Sequence, residues 1–588
     1  FPTNLFDTRT PWSITLNPSK YQKPSLDQVK VTITREADGK TWSFDGSTGA
    51  AESASKAYLE VNNQGYGVSN CIIFNPGSDN IDTYNGVFTV DISGIFYTNG
   101  TAATLQYQVD FFDVEKVCPD HSYDAVVTPP TCTEQGYTTY TCDSCGDSYV
   151  DNYVPATGHT YEDGNCKNCG QKLDVSGTCG QGSWRIYGGE LTISGNGAMQ
   201  DYTDKTQMPW YGYFDQITSV VIGDGITRIG DYAFYGMPRL QSITIAESVT
   251  AIGNYAFKNC PVLDGVKLPS GLTKLGESAF YACTGLTSID IPASLWTIQP
   301  YTFKNCTALS DVTFHEGNLQ KISDGAFYNT GLTSVTLPDC LDILDVYVFK
   351  NCTKLTSIKL SASLTQIREA VLYGTAIREI VIPEGVTVIQ PYAFKNCVNL
   401  TTVSLPGTLT SVDEAAFYAC SSLTGITLPD KVTTIGDYAF RKCTGLTAVT
   451  FGSGLLRIGE SSFYGCTGIT SLHIPEGVTV IQAYAFKGCT KLANLSLPGT
   501  LTTIGDSAFH TCTSLKTIVI PAKVTGIGAY CFSGSYNLWK ITFLGDAPAI
   551  GNYAFKGLAA TAYYPGGNST WTSAVRQNYG GTITWKAN

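Results

Sequence analysis

The sequence predicts a mainly β protein, a solenoid of 23-residue repeats preceded by a β-sandwich and a small Cys/His-rich module. Three observations carry this. The stretch Thr287-Ser-Ile-Asp-Ile-Pro-Ala-Ser-Leu-Trp-Thr-Ile-Gln-Pro-Tyr-Thr-Phe-Lys-Asn-Cys-Thr-Ala-Leu309 is one copy of a pattern that restarts, 23 residues apart, at Thr401, Thr424, Thr447, Thr470, Ala493 and Lys516. Fourteen consecutive units fit between Thr218 and Leu538, a divergent fifteenth begins at Trp539, and a fixed period in this range is the signature of a solenoid. Ahead of them lie seven short strand-like segments, most of them alternating, and then a run of cysteines and histidines at metal-ligand spacing.

A leucine-like residue closes each unit, and the next opens on an apolar–x–apolar triplet, as in Leu286-Thr-Ser-Ile289-Asp-Ile291. That alternation is strand-like, with Ile289 and Ile291 inward and Ser288 and Asp290 outward. Pro292 ends the strand, having no N–H for the ladder. A second apolar pair follows, Leu295 and Ile298 here and Leu409 and Val412 in a later unit. Then a phenylalanine recurs at Phe234, Phe257, Phe280, Phe303, Phe327, Phe349, Phe394, Phe417, Phe440, Phe463, Phe486, Phe509 and Phe532; Leu372 replaces it once and Phe555 continues the column. One unit cannot bury its apolar positions alone, so neighbours must stack them into continuous ladders. Burying one Phe contributes roughly 1.5–3 kcal/mol, so the column is expected to supply much of the stability.

Two units, ending Tyr328-Asn-Thr-Gly-Leu332 and Tyr373-Gly-Thr-Ala-Ile377, are a residue short in the return turn and lack its cysteine. The first of them gains a residue around His315-Glu-Gly-Asn318, where the usual proline is missing. Local irregularities are expected at these places. Elsewhere the turn carries a cysteine column: Cys260, Cys283, Cys306, Cys352, Cys397, Cys420, Cys443, Cys466, Cys489 and Cys512. Rungs about 4.8 Å apart do not by themselves exclude disulfides. In-register side chains point the same way, however, so free buried thiols acting as small apolar residues are the expected state.

With these residues in view, the segment resembles the BspA-type leucine-rich repeats of bacterial surface proteins, and of Firmicutes in particular. The strand-Pro element, Ile229-Gly-Asp-Tyr-Ala-Phe234 and Cys443-Thr-Gly-Leu446 follow that pattern. The resemblance implies a curved leucine-rich-repeat solenoid and a role in adhesion or host-protein binding, although a repeat fold does not settle function.

Residues 1–115 read as a β-sandwich. Its candidate strands are Trp12-Ser-Ile-Thr-Leu16, Val29-Lys-Val-Thr-Ile-Thr-Arg35, Thr41-Trp-Ser-Phe44, Tyr58-Leu-Glu-Val61, Cys71-Ile-Ile-Phe74, Val87-Phe-Thr-Val-Asp-Ile92 and Leu105-Gln-Tyr-Gln-Val-Asp-Phe-Phe112. Val61-Asn-Asn-Gln-Gly-Tyr-Gly67 with Cys71-Ile-Ile-Phe74 is similar to a β-domain that accompanies CAP modules in Firmicutes, which implies an accessory or binding role.

Residues 116–172 hold Cys118-Pro-Asp-His121, Cys132, Cys142-Asp-Ser-Cys145, His159 and Cys166-Lys-Asn-Cys169. Residues three apart can chelate one tetrahedral zinc from a single tight turn. Cys118, His121, Cys142 and Cys145 would complete one site. His159, Cys166 and Cys169 would leave a second site one ligand short, with Cys132 as the candidate fourth. An interleaved pairing, with both C-x-x-C knuckles on one metal, fits the spacing equally, and a disulfide-stapled module is the competing reading. With all ligands taken, the expected zinc is structural. Pro130-Thr-Cys-Thr-Glu-Gln-Gly-Tyr137, Cys142-Asp-Ser-Cys145-Gly146 and Gly158-His-Thr-Tyr161 resemble small Cys/His-rich repeats of Gram-positive surface proteins.

Residues 173–217, with Trp184, Leu191-Thr-Ile-Ser194 and Met208-Pro-Trp210, are expected to cover the first coil of the solenoid at 218–538. Residues 539–588 read as the last repeat and a C-terminal cap. Gly195-Asn-Gly197 resembles a dinucleotide fingerprint, but Gln200 stands at the third Gly position and a hairpin turn explains the glycines.

Charged residues are 15% of the chain and the net charge is −12. No basic stripe favours nucleic acid, and no apolar run of about 18 residues suggests a membrane span. The chain opens at Phe1 without Met or signal peptide, as expected of a mature or trimmed product. No cell-wall sorting signal is visible at its end, so any anchor is expected outside it. Low Lys content with abundant Thr, Ser, Gly, Asn and Tyr suits an extracellular or cell-surface protein.

The outward strand positions of a solenoid's concave face are where binding is expected. They include Asp290, Thr313, Thr336, Lys359, Thr427, Thr450 and His473. Hydroxyls dominate and no carboxylate pair recurs, so acid/base glycosidase chemistry has no support. His473 near Ser471 lacks a third orienting carboxylate. A non-catalytic, adhesin-like binding protein for a host or neighbouring-cell protein or glycan is therefore expected. The alternative is a structural protein that self-associates into a surface layer or filament.

Overall fold

The computed structural model describes strands at 12–15, 30–35, 41–45, 58–62, 71–75 and 86–96, and residues 101–111, 122–143 and 146–588. The chain divides into two compact units, Phe1–Thr160 with Lys167–Cys169, and Tyr161–Cys166 with Gly170–Asn588.

In the first unit all seven expected strands form, within a few residues of the bounds read from the sequence. Trp12–Thr15, Cys71–Asn75 and Tyr58–Asn62 make one antiparallel sheet in that order. Thr41–Asp45, Lys30–Arg35, Gly86–Phe96 and Ala102–Phe111 make the other, also antiparallel. Alternation has the expected consequence in this second sheet: Val31, Val90 and Ile92 are buried while Lys30 is exposed. A third antiparallel sheet orders Ser148–Val154, Gly136–Cys142 and Tyr123–Thr128.

The second unit begins with the short antiparallel pair Tyr161–Glu162 and Asn165–Cys166, followed by three antiparallel strands, Asp174–Cys179, Gly182–Tyr187 and Glu190–Gly195. The third passes into the repeats by pairing in parallel with Ser219–Ile222. Among the described residues there are two short 3-10 turns, Lys205–Gln207 and Tyr211–Tyr213, and no α-helix. From Ser219 onward two parallel ladders climb the coil. One consists of two-residue strands such as Thr434–Ile435 and Arg457–Ile458, with the isoleucines paired and buried. The other carries the longer strands and pairs them two by two: Ser288–Ile291 with Asp311–Phe314, Ser334–Thr336 with Ser357–Lys359, and Glu379–Val381 with Thr402–Ser404. The pairing continues with Gly425–Thr427 on Ala448–Thr450 and Ser471–His473 on Asn494–Ser496.

Between the ladders the phenylalanines form a spine. Phe394, Phe417, Phe440, Phe463, Phe486, Phe509 and Phe532 stack with centroids 4.9–5.7 Å apart and planes within 10° of parallel. Such contacts add about 0.5–1.5 kcal/mol each beyond burial. At the first end of the column, the buried indole of Trp210 stacks on Phe234 at 5.7 Å.

The cysteine column lies beside this spine, fully buried and unbridged. Its chemistry differs from a purely apolar filler. Each thiol donates to the backbone carbonyl of the spine residue one rung back, as Cys260 does to Phe234, Cys420 to Phe394 and Cys466 to Phe440, at 3.0–3.1 Å. Cys397 does the same to Leu372, the one non-aromatic member. Where the column ends, Ser535 takes over and donates to Phe509 at 2.9 Å. A cysteine is small and apolar enough for the core, yet gives a second hydrogen to a carbonyl such as that of Phe394, which also accepts the Cys397 N–H at 3.1 Å. Burial pushes the thiols of Cys306 and Cys512 up to about 12 and those of Cys352 and Cys397 up to about 11. They remain protonated donors at neutral pH.

The return turn reveals a second order of repetition. Tyr255, Tyr301, Tyr347, Tyr392, Tyr438 and Tyr484 occupy a left-handed conformation with φ of 57–61°, and lie two rungs apart. Smaller residues, among them Ser278, Ala370 and Ala415, take the place in the rungs between. Three residues later the alternation reverses, with Lys or Arg in one rung and Tyr in the next. Lys304 sits over Tyr281, Tyr301 and Tyr328 at 5.9, 4.8 and 4.7 Å, and Lys350 and Lys395 are each held by three rings in the same way. Cation–π contacts of this kind contribute about 0.5–2 kcal/mol, against a cost of roughly 1–3 kcal/mol for a non-glycine residue held at positive φ.

The expected irregularities cluster. The two-residue ladder breaks between Ile343–Leu344 and Gln366–Ile367, next to the rung in which Leu372 replaces phenylalanine. Asp345 bridges the gap, bound to Lys321 at 2.9 Å and Arg368 at 3.1 Å. Burial raises its carboxyl, but these two cations outweigh that and hold it below the ordinary range. Burial, together with the Asp345 charge, raises the Asp324 carboxyl.

The thiol contacts make a direct test. Cys420→Ala removes the side-chain donor to the Phe394 carbonyl, which keeps the Cys397 N–H, and is expected to cost about 0.5–1.5 kcal/mol. Cys420→Ser, which restores the arrangement found at Ser535, should cost clearly less in urea unfolding of the two variants.

Candidate functional site

Beside the three-stranded sheet of the Cys/His-rich stretch, short backbone bonds assemble the segments that carry its donors. The Thr157 N–H donates to the Thr131 carbonyl at 2.9 Å, and the Lys167 N–H to the Thr160 carbonyl at 3.0 Å. These draw the segments around Cys132, His159 and the Cys166-Lys-Asn-Cys169 knuckle together. The knuckle is a tight turn: the Gly170 N–H donates to the Cys166 carbonyl, the Cys166 N–H to the Gln171 carbonyl, both at 2.9 Å, and Gly170 has φ of 73°. A left-handed residue is required there, and glycine supplies it without strain.

The donor atoms of Cys132, His159, Cys166 and Cys169 all lie within 4.8 Å of one another. Cys169 Sγ is 3.5 Å from His159 Nδ1, about the separation of two neighbouring vertices of a tetrahedron with metal–S and metal–N bonds near 2.3 and 2.0 Å. Cys132 and Cys166 are buried, His159 is half-buried and Cys169 is exposed. The donor set therefore fits a metal ion. It is the second of the two sites expected from spacing, with Cys132 as its fourth ligand.

Of the other expected site, Cys118, His121 and Cys145 lie outside the described residues. Cys142 is described and buried, and its turn has the same geometry as the first knuckle. The Gly146 N–H donates to the Cys142 carbonyl at 2.9 Å, the Cys142 N–H to the Asp147 carbonyl at 2.8 Å, and Gly146 has φ of 73°.

On the solenoid, Asp290, Thr313, Thr336, Lys359, Thr427, Thr450 and His473 all stand exposed on the longer strands. Register places them in one row: Asp290 is opposite Thr313, Thr336 opposite Lys359, Thr427 opposite Thr450, and His473 opposite Ser496. Ser471 shares the strand of His473, and among the described residues no hydrogen bond to a carboxylate orients that imidazole. The row is an exposed surface with hydroxyls repeated at rung spacing. Val381 adds an exposed apolar side chain to the row, and Trp296, Leu456 and Trp539 add others elsewhere on the coil.

A groove of about 660 Å³ opens where the strand pairs 334–336/357–359 and 379–381/402–404 meet. Sequence patterning alone does not single it out, because its lining combines strand positions with the loops at Asp339, Ala362 and Glu384. The alternation of tyrosine and lysine in the return turn, by contrast, is written in the sequence at Tyr281, Lys304, Tyr328 and Lys350. It is missed when every unit is aligned to a single 23-residue consensus.

The family model described as BspA type leucine rich repeat region matches residues 210–322, 276–401, 320–447 and 433–561, which together span more than half of the chain. The chain belongs to the BspA-type leucine-rich repeat family. No curated protein matches the sequence. Among solved structures, a leucine-rich repeat protein from Bacteroides ovatus is 23% identical over 69% of this chain and 98% of its own, with a TM-score of 0.52. That likeness shows the same fold. A leucine-rich repeat protein from Eubacterium ventriosum matches at 25% identity over 62% of this chain and 95% of its own, with a TM-score of 0.38. A leucine rich cell surface protein from Faecalibacterium prausnitzii matches at 27% identity over 61% and 95%, with a TM-score of 0.34. No helix among the described residues of this BspA-type chain is long and apolar enough to cross a membrane.

The four-donor cluster is expected to take up one equivalent of cobalt(II) and show thiolate charge-transfer absorbance. Cys169→Ser should lower the bound cobalt by one equivalent and remove this cluster's share of the band, and an unchanged spectrum and stoichiometry would show that the cluster is not the ligand set.

Proposed function

We propose that this chain is a non-catalytic, adhesin-like binding protein of a bacterial cell surface, and that it engages a protein or glycan through the exposed row of strand residues. The observation that carries the reading is the row itself: exposed side chains, mostly hydroxyls, in register from rung to rung over a spine of stacked phenylalanines. Such a surface is held rigidly, so little ordering entropy is lost on binding. Membership of the BspA-type family supports both the binding role and the surface location, and binding rather than turnover is the usual work of repeat scaffolds.

In this reading Cys132, His159, Cys166 and Cys169 hold one structural zinc, with Cys3His coordination closing all four positions. Cys118, His121, Cys142 and Cys145 are the ligand set for a second, which the matching Cys142 turn supports. Residues 1–115 and 116–172 act as accessory modules, 173–217 and 539–588 close the ends, and 218–538 present the binding face.

Immobilised mucin and extracellular-matrix proteins provide the test. At least one should retain the wild-type chain, and Thr427→Trp with Thr450→Trp should weaken that binding about tenfold or more without lowering the melting temperature. Equal binding by the double variant would remove the strand row from the function. Concentration-dependent light scattering with no retained ligand would favour a self-assembling structural protein instead.

A further inference from the structure

The groove between the two strand pairs has a chemical character that the rest of the row lacks. Its central outward residue is Val381, which is 70% exposed and stands in the row between Lys359 and Ser404. A single exposed aliphatic side chain is ordinary on a protein surface, but this one lies in the wall of a cavity. Around it stand three exposed carboxylates: Asp339 and Glu384 on the flanking loops and Glu379 on the same strand as Val381. Lys359 is the one cation of the lining, and it approaches Asp339 only loosely, at 3.9 Å. Neither Glu379 nor Glu384 has an ion-pair partner among the described residues. The lining therefore carries three negative charges against one positive, disposed about an apolar centre in a cavity of about 660 Å³.

We propose that this groove is a peptide-docking subsite, and that its occupant is an extended polypeptide segment with an apolar residue flanked by lysine or arginine. The apolar residue covers Val381, and the flanking cations meet Glu379 and Glu384. The proposal rests on the binding reading given above and names the partner chemistry for one part of that face. Charge complementarity selects a basic segment over an acidic one, since like charges brought together in such a contact cost several kcal/mol.

The probe is a fluorescein-labelled peptide of leucine flanked by lysines within a glycine linker, followed by anisotropy at fixed salt. Two charge-matched variants separate a local site from the diffuse field of a chain with net charge −12. Glu379→Lys with Glu384→Lys alters the groove, and Asp224→Lys with Glu316→Lys makes the same change at exposed positions elsewhere on the coil. The groove variant should bind at least tenfold more weakly, and the distant variant within about twofold of wild type. Val381→Ser should weaken binding while leaving its salt dependence intact. An equal loss in both charge variants, or none in either, overturns the proposal, as does equally tight binding of a peptide with glutamates in place of the lysines. The probe is independent of the ligands used for Thr427 and Thr450, so failure here leaves the wider binding reading standing. Failure there leaves the peptide result fully interpretable.

Discussion

A rung of this solenoid can satisfy little of its own backbone, and the hydrogen bond passed to the next rung is the interaction on which everything else depends. Both ladders are made of such bonds, and the return turn adds more, for instance from the Phe417 N–H to the Ala439 carbonyl at 2.7 Å. The spine carbonyls lie in the core beside stacked rings, and most of them accept an N–H from three residues on in their own rung. The thiol of the following rung reaches them. Aromatic stacking, thiol donation and strand pairing thus act along one axis, and each is fully realised only where both neighbours are present, as in other one-dimensional repeat folds.

That axis also shapes the surface. With the inward positions committed to isoleucine, leucine and phenylalanine, the outward positions are free to vary, and their spacing is inherited from the core. The exposed row from Asp290 to His473 therefore repeats at the spacing of the rungs. The groove around Val381 forms close to where the coil is least regular, with Leu372 in the spine and the two-residue ladder interrupted after Leu344. Asp345, held by Lys321 and Arg368, keeps those rungs joined despite the lapse.

Much of this was legible beforehand because repetition magnifies weak signals. One Ile-x-Ile triplet is ambiguous, but fourteen in register leave a single fold, and the spine followed from the same alignment. The seven N-terminal strands were readable from their alternation and from the turn-rich breaks between them. Cys132 could be matched with His159, Cys166 and Cys169 because the C-x-x-C spacing left one coordination position to fill. Other features were hidden for physical reasons. A cysteine column looks alike whether its thiols pack or donate, since the carbonyl they meet belongs to another unit. The groove arises from loops and strands of four consecutive rungs, so no local pattern encodes it. The pairing of rungs was present in the letters, in Tyr281 against Lys304, yet its meaning depended on knowing that these positions touch.

That pairing bears on how such a chain can change length over generations. Removing one 23-residue unit from the middle would set lysine beside lysine and tyrosine beside tyrosine, a rung apart, and break the cation–ring contacts at the seam. Removing or duplicating two units would leave every neighbour as it was. Same-type tyrosines do meet on adjacent rungs at the two ends of the coil, where Tyr232 stacks on Tyr255 and Tyr530 on Tyr553, but not in its interior. Unequal recombination among these near-identical modules is therefore filtered by parity, and viable descendants of this coil should grow and shrink in steps of two.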